Sequence, residues 1–308
     1  MTETLSLRAK IEQSPMGAYQ WMIVVMAAIM NLLDGFDVLA LAFTATAIRG
    51  EFGLTAIELG YLLSAGLFGM TAGSLFLAPL ADKIGRRPLL LMAVSLSAIG
   101  MLGSAFISQY QWLGFWRVIT GLGVGGILVG TNVITSEYSS RKWRSFAISV
   151  YAAGFGIGAV LGGMFAVMLQ GEYGWRSVFL AGAILTGLLL VILFIWLPES
   201  IDFLTSKQPK NAEVRLNLIA KRIGLAGDWK LLEKTEKIKT KLPIDQLFSE
   251  KYLHSTLLIW TAFFAIMFSF YFISSWTGQR MTIPPSRRRW MSRGFTGKFR
   301  ISREYACG

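Results

Sequence analysis

One apolar stretch, residues 19–48, constrains the fold of this chain more than any other. At about 1.5 Å of rise per residue, a helix of this length crosses the roughly 30 Å of hydrocarbon in a bilayer. The middle of the stretch nevertheless holds Asn31, Asp34 and Asp37. A carboxylate at the centre of such a helix costs roughly 2.5–3.5 kcal/mol, so we expect these side chains to face a helix bundle or a water-filled cavity.

Asp34 and Asp37 are three residues apart, so a helix presents both on one face. Asn31 and Thr44 extend the same polar stripe. Two carboxylates this close resist joint ionisation, so one of them can carry a proton. Gly35 lies between them and can admit a close neighbour or a bend. An intramembrane acid indicates function by default, and a structural ion pair is the alternative.

Composition also indicates a multi-pass membrane protein, because 54% of the 308 residues are hydrophobic and the mean hydropathy is +0.52. The net charge of +12 would suit a nucleic-acid-binding protein. The basic residues, however, lie mostly between apolar runs, which is a pattern of membrane topology, so the expected partner is a lipid bilayer and not a nucleic acid. Cys307 is the only cysteine, which excludes an internal disulfide, and we expect no metal or other cofactor.

Seven apolar runs divide the chain, and each is long enough to span a bilayer as a helix. The runs cover residues 19–45, 57–80, 88–107, 112–134, 145–169, 175–197 and 254–277. We therefore expect an all-α membrane protein. Its segments are a cytoplasmic N-terminus (1–18), a half of six transmembrane helices (19–197), a cytoplasmic linker with short surface helices (198–253), a seventh transmembrane helix (254–277) and a basic tail (278–308).

The loops between the runs alternate in charge. Nineteen Lys and Arg residues fall on one side of the expected membrane, whereas the other side carries only Arg49 and Arg176. Because cytoplasmic loops are enriched in Lys and Arg, the N-terminus is expected in the cytoplasm.

Arg117 is the only Lys or Arg deep inside an apolar run, since Arg176 is only the second residue of its run. The depth of Arg117 from the outer end of its helix nearly matches that of Asp37. The guanidinium can therefore pair with Asp37 or bind an anionic group of a substrate, with a purely structural pair as the alternative. Small residues four apart predict close helix contacts in the second, fourth and fifth runs. These are Gly69, Gly73, Gly121, Gly125, Gly126, Gly130, Gly154, Gly158 and Gly162.

The loop between the second and third runs is short and strongly charged. It contains Asp82, Lys83, Gly85, Arg86 and Arg87. Glu137 lies at the cytoplasmic end of the fourth helix, just after the fourth run, and is followed by Arg141, Lys142 and Arg144. The two loops can therefore form ion pairs that rearrange, as a gate requires. Plain loops that obey the positive-inside rule would look the same.

This loop resembles the signature loop of the major facilitator superfamily. Asp82, Lys83, Gly85 and Arg87 fit its pattern, Arg86 takes a variable position, and Ala78 replaces the opening glycine. Arg117 with Gly121 resembles the arginine motif of the fourth helix. The glycine-rich fifth helix fits as well, although Ala159 stands where antiporters often have proline, and LPES at 197–200 resembles the end of helix 6 in the sugar and organic-ion branches.

Within the superfamily, the Asp34-Gly-Phe-Asp37 motif resembles that of the aromatic acid:proton symporters. This resemblance covers about residues 15–277. It implies a bacterial inner-membrane protein that imports aromatic carboxylates such as hydroxybenzoates, driven by the proton gradient. The fold implied is the N-terminal six-helix bundle plus helix 7, out of twelve helices in two halves. Asn31, Asp34, Asp37 and Arg117 are then the candidates for proton coupling and substrate binding, and the charged loop with Glu137 for gating.

Residues 278–308 do not continue this pattern. They carry eight basic residues, one acid and no apolar run. Their composition suits a shifted reading frame, so we expect a truncated, inactive copy with a non-native, disordered tail. An authentic basic tail is the alternative.

Two other functions stay open. One is transport of another organic acid or a sugar, and the other is a membrane sensor that binds an aromatic acid without moving it. An enzyme is not expected, because the sequence has no metal cluster, no nucleophile with a base and no phosphate-binding glycine loop.

Overall fold

The computed structural model describes residues 7–225, 227, 229 and 249–280, and these residues are almost entirely helical. The helices are α1 (Leu7–Gln13), α2 (Ala18–Phe52), α3 (Ala56–Ile84), α4 (Arg86–Ala105), α5 (Tyr110–Tyr138), α6 (Arg144–Tyr173), α7 (Trp175–Trp196), α8 (Ile201–Lys207), α9 (Ala212–Ile223) and α10 (Glu250–Arg280). In these described residues, α2 to α7 and α10 are long and apolar enough to cross a membrane. The all-α membrane architecture predicted from the apolar runs is confirmed.

Most of these helices extend beyond their apolar runs. α2 continues to Phe52 because its first strong stop is Gly53, whose φ of 64° is left-handed. α3 begins after Thr55, whose hydroxyl accepts a hydrogen bond from the Glu58 N–H while the Glu58 carboxylate accepts one from the Thr55 N–H. Apolar runs mark only the part of a helix that lies in hydrocarbon, so they underestimate its full length.

α2, α4 and α5 supply most of the interior, whereas α3, α6 and α10 expose wide apolar faces. Phe76 of α3 and Met168 of α6, for example, are 69% and 71% exposed. Exposed side chains of this size are expected on a surface that meets lipid or further helices. α10 packs on the bundle through α2.

Glycines bring pairs of helices into backbone contact. A Cβ built on Gly158 of α6 would overlap the carbonyl oxygen of Leu32 in α2, and one built on Gly35 of α2 would overlap the carbonyl oxygen of Phe155 in α6. α3 and α5 approach each other equally closely. The glycines at that contact are Gly69, Gly73, Gly121 and Gly125. The predicted close contacts are confirmed at these glycines and at Gly154, where no side chain separates the backbones. Gly126, Gly130 and Gly162 instead face the side chains of Leu77, Leu90 and Phe36.

Short helices cover one end of the bundle. α1, α8 and α9 share a core cluster with the ends of α2, α5 and α7. Arg8 of α1 forms an ion pair with Asp202 of α8, and Glu12 forms one with Arg144 of α6 at 2.5 Å. The Arg144 guanidinium hydrogen bond lowers the pKa of the Glu12 carboxyl. Residues 1–6, 226, 228, 230–248 and 281–308 lie outside the described residues. They include parts of the predicted N-terminus and linker and most of the predicted basic tail.

Candidate functional site

Asp37 is buried in the middle of α2 and is held by α4. The Ser97 hydroxyl of α4 donates a hydrogen bond to Oδ2 of Asp37 at 2.6 Å. Oδ1 has no hydrogen-bond partner among the described residues. It faces α7 at Gly182, where an added Cβ would lie 3.4 Å from it. One carboxylate oxygen is therefore satisfied and the other can still accept a proton or a donor.

Arg117 of α5 is buried beside the same helix, α4. Its Nε and Nη2 donate hydrogen bonds to the Ser104 hydroxyl at 3.2 and 2.7 Å, and its guanidinium lies 4.8 Å from the centre of the Phe179 ring. Within the described part of the chain, Arg117 forms no ion pair with Asp37. The pairing considered from their matching depths is not formed, because Ser104 and the Phe179 ring face the guanidinium instead.

A single pocket nevertheless joins these two charged side chains. Its other lining residues are largely apolar and come from α2, α3, α5 and α10. They are Val38, Leu41, Leu63, Gly66, Leu67, Met70, Thr120, Gly121, Val124 and Tyr271. At such a pocket, the carboxylate can take up and release a proton. The separate guanidinium can bind an anion, and the apolar walls can hold the apolar body of that anion.

Asp34 and Asn31 lie against α6 and do not line this pocket. The Asn31 amide donates to the backbone carbonyl of Tyr151 at 2.8 Å. Asp34 is buried near Tyr151, and its Oδ2 has no hydrogen-bond partner in the part of the chain that the structure describes. The Thr44 hydroxyl donates within its own helix, to the carbonyls of Ala40 at 2.8 Å and Leu41 at 3.4 Å. The predicted polar stripe is therefore divided between two environments.

The charged loop between α3 and α4 is organised around Glu199. Its Oε1 accepts hydrogen bonds from the backbone N–H groups of Arg86 and Arg87 at 2.8 and 3.0 Å, which caps the N-terminus of α4. The Arg86 side chain pairs with Asp82 at 2.8 Å, and Arg87 donates to the Phe194 carbonyl at 2.6 Å. Lys83 is exposed to solvent.

Glu137 is not part of an ion-pair network in the described residues. Its carboxylate accepts hydrogen bonds from the Ser200 hydroxyl and the Ile201 N–H, both at 2.9 Å, and so caps the N-terminus of α8. The ion pairs expected between Glu137 and the basic residues that follow it are not formed in this part of the structure, and Arg144 pairs with Glu12 instead. A helix N-terminus offers unpaired N–H groups and a positive dipole end, which suit a buried carboxylate.

Three important residues escaped the sequence interpretation. Ser97 and Ser104 hold the two charged groups, but isolated serines in an apolar run carry little signal by themselves. Glu199 was visible only as part of the LPES stretch. For Ser97 and Ser104, the available signal was their spacing of seven residues, which places both on one face of a helix.

Comparison with known proteins identifies the family. Residues 27–283 match the family model described as Major Facilitator Superfamily. The gallate transporter of Pseudomonas putida is 34% identical over 86% of this chain and 59% of its own length. The 4-hydroxybenzoate transporter PcaK of the same species is 32% identical over 89% of this chain and 62% of its own length. The chain thus spans about six tenths of these curated relatives, and the resemblance to the aromatic acid branch is confirmed.

A solved structure supports the same fold. The xylose transporter XylE from Escherichia coli, in a partially occluded inward-open conformation, aligns with a TM-score of 0.60 and 22% identity, covering 68% of this chain and 56% of that one. The family match, the helical architecture and this likeness agree. The chain therefore belongs to the Major Facilitator Superfamily.

Proposed function

We propose that this chain is the substrate-binding N-terminal part of a proton-coupled secondary transporter that imports aromatic carboxylates of the hydroxybenzoate class. The observation that carries the proposal is the shared pocket of Asp37 and Arg117, which line it without pairing. The relatives named as gallate and 4-hydroxybenzoate transporters support the choice of substrate class.

Arg117 is the proposed anchor for the substrate carboxylate. Its Nη1 makes no hydrogen bond within the described residues, whereas Nε and Nη2 are already used by Ser104. A guanidinium binds a carboxylate with charge-assisted hydrogen bonds. The aromatic ring would then lie among apolar side chains such as Leu67 and Val124, and the Tyr271 hydroxyl of α10 offers a partner for a ring hydroxyl.

Asp37 and Asp34 are the proposed proton carriers. Both carboxyl groups are buried. Burial disfavours a carboxylate that has no cation beside it, so a buried carboxyl group can carry a proton. Moving a substrate anion together with a proton leaves the transported charge balanced, and the gradient then drives accumulation. No cofactor other than the proton gradient is needed.

The charged loop is the proposed gate. Asp82 is 68% exposed on its side chain, so its bond to Arg86 can break at little cost when a second half docks. Arg87 and Glu137 are held by backbone groups and would form the fixed part of the gate. Lys83 and Gly85 complete the loop, with Lys83 free to meet an acidic partner.

The proposed location is the bacterial inner membrane, with the N-terminus in the cytoplasm. A single cysteine introduced at Lys210, between α8 and α9, tests this in a chain whose natural cysteine is replaced by serine. Labelling should occur only after the membrane is opened. Labelling of intact cells by an impermeant reagent would reverse the assigned orientation.

A chimaera tests the transport function. Residues 1–277 are joined to the corresponding C-terminal part of the Pseudomonas putida 4-hydroxybenzoate transporter, and uptake of labelled 4-hydroxybenzoate is measured in cells. We expect accumulation that a protonophore abolishes and that Asp37→Asn removes. Asp82→Asn should slow uptake and leave substrate binding intact.

The same assay separates the two alternative functions. A transporter of another organic acid or a sugar would show uptake that sugars or aliphatic acids, and not benzoates, compete away. A sensor would bind the labelled acid without accumulating it.

A further inference from the structure

α4 contributes no lining residue to the pocket, yet it holds both of the pocket's charged groups. Ser97 donates to Asp37 at 2.6 Å, and Ser104 accepts from Nη2 of Arg117 at 2.7 Å. Both serines are 0% exposed. They are seven residues apart, which places them on one face of α4 with about 10.5 Å of rise between them.

The Ser104 hydroxyl is fully used in this arrangement. Its hydrogen is donated to the carbonyl of Gly100 at 2.7 Å, and its two lone pairs face Nε and Nη2 of Arg117. A hydroxyl with one donor and two acceptors committed in this way sets the direction of the guanidinium. Ser97, by contrast, acts on Asp37 as a donor.

α4 is also fixed against α5, which carries Arg117. A Cβ built on Gly100 would lie 2.6 Å from the backbone N of Thr120, and one built on Gly123 would lie 2.7 Å from the backbone N of Ser97. The two backbones are therefore in contact close to both serines. This close packing makes α4, with its two serines, a support for the charged side chains.

This support has an electrostatic consequence. Oδ1 of Asp37 has no hydrogen-bond partner in the described residues, and neither has Nη1 of Arg117. Opposite charges attract strongly in a poorly solvated interior, so two such groups at one pocket would pair if nothing restrained them. Pairing would keep Asp37 ionised and would use up the cation that an anionic ligand needs.

We propose that Ser97 and Ser104 are positioning residues that keep Asp37 and Arg117 apart, so that Asp37 can bind and release a proton while Arg117 stays open to an anion. The anion part rests on the proposed function. The proton part does not, because it can be measured in the 308-residue chain without transport.

Other ionisable groups near Asp37 are few. Asp34 lies on the same helix, Arg117 faces it from α5 and Tyr271 lines the pocket from α10, while Tyr151 of α6 lies beside Asp34. In the described residues, α3, α4 and α7 bring no titratable side chain to the pocket. Asp34 is a second buried carboxyl group on the same helix, so its signal must be separated from that of Asp37.

Infrared spectroscopy of the purified 308-residue chain in lipid nanodiscs tests the proposal. The carbonyl stretch of protonated carboxyl groups is followed as a function of pH, and the signal that Asp37→Asn removes is assigned to Asp37. In the parent chain, we expect this signal to appear and disappear reversibly across the pH range in which the protein stays folded.

The two serines should act in opposite directions. Ser97→Ala removes a donor to the ionised form, so the titration midpoint of Asp37 should rise by about one pH unit. Ser104→Ala frees Arg117 to pair with Asp37, so the midpoint should fall by about one pH unit or more. Ser104→Thr restores the hydroxyl and should restore the midpoint. Ser95→Ala is the matched control on α4, because the Ser95 hydroxyl only bonds to Leu91 of its own helix.

Three results would overturn the proposal. One is a parent chain in which Asp37 does not titrate at all. Another is a pair of alanine variants at 97 and 104 that move the midpoint in the same direction, as general loosening of the bundle would. The last is a Ser104→Ala variant with an unchanged midpoint. Failure of the chimaera to take up 4-hydroxybenzoate would leave these outcomes unaffected and would count only against the proposed function.

Discussion

The carboxylate of Glu199 occupies the space that a side chain at Gly85 would need. A Cβ built on Gly85 would lie 2.6 Å from Oε2 of Glu199, whose other oxygen caps α4. Gly85 also has φ and ψ of 105° and 161°, a backbone conformation essentially restricted to glycine. The glycine of the signature loop is thus required twice, by backbone geometry and by the cap that reaches it from the end of α7.

We therefore predict that Gly85→Ala destabilises the bundle. The backbone conformation alone costs about 1–3 kcal/mol for a residue with a side chain. Displacement of the Glu199 cap adds to this cost. The measurement is the thermal unfolding temperature of the purified chain in detergent.

Gly53→Ala is the matched control for Gly85→Ala. Gly53 also has a positive φ, of 64°, but nothing lies within 4 Å of an added Cβ. It should therefore show only the cost of the left-handed conformation, about 1–2 kcal/mol. Equal losses of stability in the two variants would mean that the contact with Glu199 has no energetic effect.

Gly158→Ala is predicted to separate α6 from α2. The added methyl group would meet the Leu32 carbonyl, and overpacking of this kind costs about 1–3 kcal/mol. Gly156→Ala, two residues away on the same helix, meets nothing within 4 Å and should be neutral or stabilising by up to about 1 kcal/mol. Thermal unfolding of both variants decides the matter, and similar values for the two would refute a backbone contact at Gly158.

Sequence patterns predicted this contact because glycine spacing on a helix determines which face is smooth. They also predicted that Arg117 and Asp37 lie at similar levels along their helices, and both side chains line one pocket. The partner of Arg117 could not be predicted in this way. It depends on how α4 is rotated and translated against α5, which is a property of the packed bundle.

Asp34 and Asp37 illustrate a second limit. Three residues of separation place both acids on the same broad face of α2, yet the angular difference of about 60° is enough to give them different neighbours. Asp37 meets Ser97 of α4, whereas Asp34 lies near Tyr151 of α6. The partner of Glu137 was missed for a related reason, because the backbone that it caps begins at Ser200, far along the chain.

The ion pair between Glu12 and Arg144 predicts a pH dependence of stability. The hydrogen bond from Arg144 lowers the pKa of Glu12 in the folded chain below its ordinary value of 4.5. A carboxyl with a lowered pKa contributes its full stability above the unfolded pKa and loses it as pH falls through the folded pKa. The stability contribution of Glu12 should thus fade below about pH 4.5.

The test compares the unfolding temperature of the parent chain with that of Glu12→Gln across this pH range. The parent should be more stable at neutral pH, and the difference should shrink on acidification. The effect is expected to be small, because the pair is partly exposed to solvent. Glu172→Gln, at an exposed position of α6, serves as control, and a pH-independent difference at Glu12 would contradict the assignment.

The last prediction concerns the 308-residue chain alone, which we expect not to transport. Alternating access in this superfamily requires one half to rock against another around a shared site. In the described residues, α2, α3 and α5 supply one wall of the pocket and α10 adds only Tyr271 to it.

Reconstitution of the purified chain into liposomes with an imposed pH gradient is the measurement. Uptake of labelled 4-hydroxybenzoate should not exceed that of empty liposomes, because the described residues supply only one wall of the pocket that Asp37 and Arg117 line. The chimaera described above, reconstituted in parallel, is the positive control. Proton-dependent uptake by the 308-residue chain would show that the prediction is wrong, and crosslinking between copies would then reveal whether two chains assemble so that each closes the pocket of the other.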